Sequence, residues 1–406
     1  MPLVQHPAPG SRLLLIAGGR LTVTLDLGGA RRGRALFRTT LGRAALRRRE
    51  IIAATEAGEP PLARDWHDLP MRDLGRGRYA IGLPLDETGG FAGKACFLPE
   101  GSNVPEWPDG EDLSIKVAPA HTACANTVYT AFVRQFGAAR HAAPHTPRHA
   151  ELAAPLLARG YTVIPPSGTF RDLIGALDTI LGTMRFRILQ LLPVHPVPTT
   201  FARMGLYGSP FAARDLLDVD PALAAFDTRA TPLDQFRELA DAVHARGARL
   251  FLDIPANHTG WASTLQTHHP DWFRRNADGS FKSPGAWGVT WEDLVELDYA
   301  NRDLRAFMAG VFLFWCRQGV DGFRCDAGYM IPAETWAYIT ARIRGAFPET
   351  VFLLEGLGGK LSTTGELLSE ANLDWAYAES FQFEDRAAFE RHFPAAAALS
   401  AGSGPL

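Results

Sequence analysis

The sequence predicts a parallel (β/α)8-type barrel, incomplete at its C-terminus and preceded by a small all-β sandwich domain. Three stretches carry the barrel reading: Ala248–Gly260, Gly319–Met330 and Val351–Gly359 are apolar strand-like runs whose polar residues gather at their C-terminal ends. Helical patterns separate them, as in a sheet joined by crossover helices, and polar strand ends mark the functional face of such a barrel. Ahead of them, residues 1–120 hold short alternating or apolar runs broken by Gly, Pro and Asp, the pattern of a sandwich.

Composition bounds the class. A chain of 406 residues suggests about two domains. With 46% hydrophobic and 21% charged residues and a formal net charge of −3, it reads as a soluble globular protein with no signal for a nucleic-acid or membrane partner. Cys96, Cys124, Cys316 and Cys325 show no CxxC spacing, so buried thiols are expected in place of disulfides or a metal site. The N-terminal apolar run, Leu13–Ala17, is too short for a signal peptide or a membrane span, which implies a cytoplasmic location.

In chain order, RLLLIAGG, RLTVTLDL, RYAIGLPL, GKACFLP and LSIKVAP are the sandwich strands within 1–120, and the arginine-rich stretch Ala30–Glu56 shows no period that assigns it. The barrel, 121–406, opens with a strand in Asn126–Gly137. His141, His145 and His149 are four apart, but Pro144 and Pro147 argue for a loop, not a metal-binding helix. Residues 169–183 and 232–247 carry helical periodicity, with a strand ending near His195 between them. A long aromatic loop subdomain fills about 256–301, and long loops at strand tops are usually functional. Helices follow at Arg302–Gln318 and Pro332–Ala346, then a short helix at 364–371, a sixth strand in LDWAYAESF and a helix in EDRAAFERHF.

The chemistry concentrates on three side chains. In an extended Gly319–Met330, Arg324 and Asp326 share one face, and a guanidinium beside a carboxylate lowers its pKa and keeps it ionised, as a covalent nucleophile must be. Glu355 ends an apolar strand with no cation adjacent in sequence, which suits a carboxyl of raised pKa that gives up a proton. Two such groups on neighbouring strand ends can face each other across the gap that acetal cleavage with retention requires.

These stretches, ARLFLDIPANHTG, GVDGFRCDAGYM and VFLLEGLGG, resemble in order and spacing the first three signature regions of the α-amylase family of glycoside hydrolases, a likeness that extends over roughly 121–392. The resemblance implies a retaining α-glucan hydrolase or a glucosyl or maltosyl transferase in carbohydrate metabolism, with Asp326 as nucleophile and Glu355 as general acid/base. It implies an α-glucan or malto-oligosaccharide as substrate, with Arg324, Asp253 and His258 contacting the sugar or supporting the site. Phe211 falls at the aromatic platform where the family commonly has Tyr. Tyr329 and Met330 stand where relatives often carry Lys-His, so contacts to the leaving sugar differ. No cofactor is required by the resemblance, and Asn257 is the candidate ligand of a structural calcium.

The family's fourth region, an Asn-His-Asp that supplies a third carboxylate, is not found, and Asp374 lacks the preceding Asn-His. The sequence therefore reads as a family member ending early, either a fragment, a degenerate member or half of a split one, and residues 1–406 alone are expected to be nearly inactive. The alternative is a catalytically inactive truncated member acting as a glucan-binding or regulatory protein.

Overall fold

The computed structural model describes residues 2–123, 126–137, 147–160, 163, 167–199, 201–205, 207–356, 360–378, 380 and 383–400. The chain divides into two compact units, one of residues 1–124, 332–351 and 359–406, the other of residues 125–331 and 352–358.

The first unit begins with β1 (Val4–His6), β2 (Arg12–Ile16), β3 (Arg20–Asp26) and β4 (Gly33–Thr39), continues through helix α1 (Ala44–Glu56), and returns to strands β5 (His67–Pro70), β6 (Arg72–Gly75), β7 (Arg78–Pro84), β8 (Gly89–Pro99) and β9 (Leu113–Ala118). They form two sheets, ordered β1-β3-β7-β6 and β2-β9-β8-β4-β5. Alternation in β3 buries Leu21, Val23 and Leu25, which join Phe37, Phe91, Phe97, Ile115 and Val117 in one core. The expectation of an all-β domain is corrected by α1, which forms in the stretch that showed no period. Its Ala, Leu, Arg and Glu are strong helix formers, and only Ala44 and Thr55 are buried, so propensity without an apolar stripe specifies it.

The second unit holds β10 (Val128–Ala131), α2 (Pro147–Leu157), α3 (Phe170–Leu177), β11 (Ile188–Leu191), α4 (Pro232–His244), β12 (Arg249–Ile254), β13 (His258–Gly260), α5 (Thr264–His268), β14 (Gly285–Ala286), β15 (Val289–Thr290), β16 (Leu294–Glu296), α6 (Arg302–Arg317) and β17 (Gly322–Cys325). Among the residues read as a loop, 138–146 lie outside the described residues, and α2 starts at Pro147, whose fixed φ suits a first helical position. After α7 (Ala333–Ala346) comes β18 (Val351–Leu354). Strands β10, β11, β12, β17 and β18 are consecutive neighbours in one sheet, and the first three pairings are parallel. Every residue of β11 and β18 is buried, as for parallel strands covered on both faces. Gly322 is required here because a Cβ would meet the Phe251 ring at 2.5 Å.

Local sequence sets the helices beside the sheet. Thr231 caps α4 in a capping box with Asp234, and Asn301 caps α6 by accepting from Asp303 and Leu304. The buried face of α6 carries Leu304, Met308, Val311, Phe312 and Trp315, with Phe312 edge-on to Phe323 at 4.7 Å. The first unit ends with α8 (Leu361–Ser369), the two-residue strand β19 (Trp375–Ala376) in the stretch read as a sixth strand, and α9 (Arg386–Ser400). Asp374 is 3% exposed and pairs with Arg344 at 2.6 Å.

Candidate active site

Backbone register brings the charged side chains together. In the parallel β12–β17 pairing, Asp253 stands opposite Arg324. One step on, the Asp326 amide donates to the Ile254 carbonyl, and the Glu355 amide donates to the Cys325 carbonyl. Three successive strand ends thus deliver Asp253, Asp326 and Glu355 around one guanidinium. Arg324 Nη1 donates to both Asp253 oxygens at 2.9 and 3.0 Å and to Asp326 Oδ1 at 2.5 Å, and Nη2 pairs with Glu355 Oε1 at 2.8 Å. The Ala327 amide donates to Glu355 Oε2 at 2.6 Å.

Asp326 is 7% exposed and Asp253 1%. Burial pushes all three carboxyls above the ordinary carboxylate range, while Arg324 pulls each of them down. This corrects the expectation that Arg324 holds Asp326 below that range: the guanidinium acts in that direction, but desolvation outweighs it. The two carboxyls also act on each other, which lowers Asp326 and raises Glu355.

A cavity of about 390 Å³ opens onto this cluster, lined by Asp326, Glu355, His258, Phe211 and Tyr329 of the expected residues. His258 is 1% exposed, lies with Nε2 3.6 Å from Asp326 Oδ2, and is pushed down to about 4 by burial, so its ring is neutral at pH 7. That Nε2 has no hydrogen-bond partner among the described residues. Arg324 Cζ lies 5.6 Å from the centroid of the Phe211 ring. Asp253 and Arg324 support the carboxyls from behind and do not line the cavity.

Asn257 is 2% exposed and its amide donates to Met330 Sδ at 3.5 Å. Among the described residues no group of three or more His, Cys, Asp or Glu is arranged to hold a metal. Sequence reasoning missed Met204, Ser209, Trp287, Trp291, Asp293 and Leu294, which also line the cavity. For Trp287, Trp291, Asp293 and Leu294 the signal was the aromatic loop, but only the β13–β16 pairing, His258 opposite Glu296, folds it back over the strand ends. Burial raises the Asp293 carboxyl. Cys96, Cys316 and Cys325 are buried, and Cys124 lies outside the described residues. Among the described residues no helix is long and apolar enough to cross a membrane.

Residues 227–350 match the family described as alpha amylase, catalytic domain. The chain is 32% identical over 197 residues to an alpha-1,4-glucan:maltose-1-phosphate maltosyltransferase of Myxococcus xanthus, covering 46% of this chain and 29% of that protein. It is 33% identical over 244 residues to the maltosyltransferase of the same description from Burkholderia pseudomallei, covering 55% of this chain and 21% of that one. The chain thus spans less than a third of the length of either relative. Among solved structures, an alpha-amylase from Lactobacillus plantarum superposes with a TM-score of 0.52 at 26% identity, covering 68% of this chain and 59% of that one. A trehalulose synthase mutant, at 16% identity and a TM-score of 0.50, covers 69% of this chain and 56% of its own and shares the fold.

Proposed function

We propose, since this chain belongs to the α-amylase family of glycoside hydrolases, that it acts on α-1,4-glucans by a double displacement that retains the anomeric configuration. The observation that carries the reading is that Arg324 holds Asp326 Oδ1 at 2.5 Å and Glu355 Oε1 at 2.8 Å through its two terminal nitrogens, on the wall of a cavity wide enough for sugar. Two carboxyls held on one guanidinium suit the ~5–5.5 Å separation that retention uses better than the ~6.5–9.5 Å of inversion.

In this reading the Asp326 carboxylate attacks the anomeric carbon while Glu355 gives its proton to the departing glycosidic oxygen. The old C–O bond breaks as the ester to Asp326 forms. Glu355, now a carboxylate, takes the proton of an incoming hydroxyl, which displaces Asp326 from the same carbon. Water as acceptor gives hydrolysis, and a sugar hydroxyl gives transfer. Arg324, fixed by Asp253, keeps both carboxyls aimed. His258 Nε2 is a free hydrogen-bonding group for a sugar hydroxyl, Phe211 the apolar platform, and Tyr329 a contact to the leaving sugar.

Transfer is the favoured outcome, because the two relatives described above are named as maltosyltransferases acting with maltose 1-phosphate. The buried Cys96 thiol suits a cytoplasmic setting. The test is product analysis after incubation with maltoheptaose, with and without maltose 1-phosphate. Chains lengthened by two glucose units with phosphate released support transfer, and shorter chains alone support hydrolysis. Absence of both products when the chain is assayed together with the family's third carboxylate, in a longer or partner polypeptide, would overturn the reading.

A further inference from the structure

The loop that closes over the cavity contains a residue that neither folding nor burial explains. Strands β14 and β15 pair Gly285 with Thr290 and Ala286 with Val289, leaving Trp287 and Gly288 as a two-residue hairpin loop. Both have positive φ, 53° and 77°. Hairpin loops of this length and sign favour Asn-Gly or Gly-Gly, because a side chain in the left-handed region is strained by about 1–3 kcal/mol. Trp287 occupies the first position although Asn would sit there with less strain. Burial does not compensate, since its side chain is 65% exposed. Yet the residue lines the same cavity as Asp326 and Glu355.

We propose that Trp287 is a specificity-determining cap of this cavity, a flat apolar surface presented at the mouth to stack on a pyranose ring of a bound α-glucan. The assignment rests on the glucan reading above. A pyranose presents a face of C–H groups, and an aromatic ring covers such a face with large contact area and few frozen torsions. The strain of the turn is accepted because the ring is needed in that place and not for folding. Trp287 acts on binding, through a sugar unit next to the one being cleaved, and not on the bond-breaking groups.

The experiment compares Trp287→Asn and Trp287→Phe with the parent, all carrying Glu355→Gln to stop turnover, by thermal denaturation and by calorimetric titration with maltoheptaose. Trp287→Asn is expected to keep or raise the melting temperature, because Asn tolerates the left-handed turn, while its Kd for maltoheptaose weakens about tenfold. Trp287→Phe is expected to retain most of the affinity. Equal Kd in parent and Trp287→Asn would overturn the inference while leaving the glucan reading intact. A Trp287→Asn variant melting several degrees below its parent would also overturn it, by showing that the ring packs for stability. A parent that binds no maltoheptaose would remove the glucan reading itself and the inference with it.

Discussion

Replacing Arg324 by Met leaves three buried carboxyls without their shared cation. An opposite charge at this range lowers a carboxyl pKa by about 1–3 units, so its loss raises Asp326 and Glu355 further by that amount each. At 1.36 kcal/mol per unit, two groups raised by about 1–3 units each make the cost at high pH roughly 3–8 kcal/mol, whose lower part is the ~3–5 kcal/mol found when one partner of a buried ion pair is removed. The sign follows from linkage. A carboxyl whose folded pKa exceeds its unfolded value, about 4, contributes stability that is present below pH 4 and lost as pH rises through the folded pKa. Burial already puts the wild-type carboxyls on that side, and removing Arg324 widens the gap. The variant is therefore expected to approach wild-type stability near pH 4 and to fall steadily behind it toward pH 8. In a folding unit of this size, ~2–4 °C per kcal/mol makes the deficit at pH 8 on the order of 10 °C. Thermal unfolding of both proteins at pH 4.5 and pH 8 measures it. A deficit equal at the two pH values, or none at pH 8, would refute the electrostatic account of the cluster.

Three further outcomes are expected. Asp326→Asn should lower kcat by ~10³-fold or more while maltoheptaose binding, read by calorimetry, changes little, since nucleophilic chemistry alone is lost. Glu355→Gln should slow maltoheptaose by ~10²–10⁴-fold but an activated maltosyl fluoride far less, because fluoride departs without a proton, and equal losses on both donors would argue against Glu355 as the acid. Lys116, 4% exposed, donates to the carbonyls of Leu368 and Leu373, and burial pushes its ammonium down to about 7. A depressed folded pKa makes stability rise with pH from about 7 toward the unfolded value, so urea unfolding should show that rise in the wild type and a flatter profile in Lys116→Met. Identical slopes would contradict it.

The barrel side was legible where pattern and register coincide. Apolar runs ending on Asp253, Asp326 and Glu355 fixed which residues stand at strand ends, and parallel pairing one residue at a time then converges them. Helix α1 was not legible, because a helix specified by propensity leaves no apolar period to read. In α9, Pro394 lies inside a helix that continues to Ser400 through an alanine-rich run without pattern. The direction of the Asp326 shift was equally invisible, since adjacency to Arg324 is written in the sequence whereas burial is a property of the folded whole. Trp287, Trp291 and Asp293 were missed as site residues because they reach the cavity through a loop folded back by β13 and β16.

The central claim, that Asp326 is the nucleophile of a retaining reaction, is tested most directly by trapping the glycosyl–enzyme ester. A 2-deoxy-2-fluoro maltosyl donor with a good leaving group slows the second displacement, and peptide mapping by mass spectrometry then locates the sugar. The expected result is a single adduct on the peptide containing Asp326, absent in Asp326→Asn. An adduct on another carboxylate, or turnover of the donor to an inverted product with no adduct, would contradict the account.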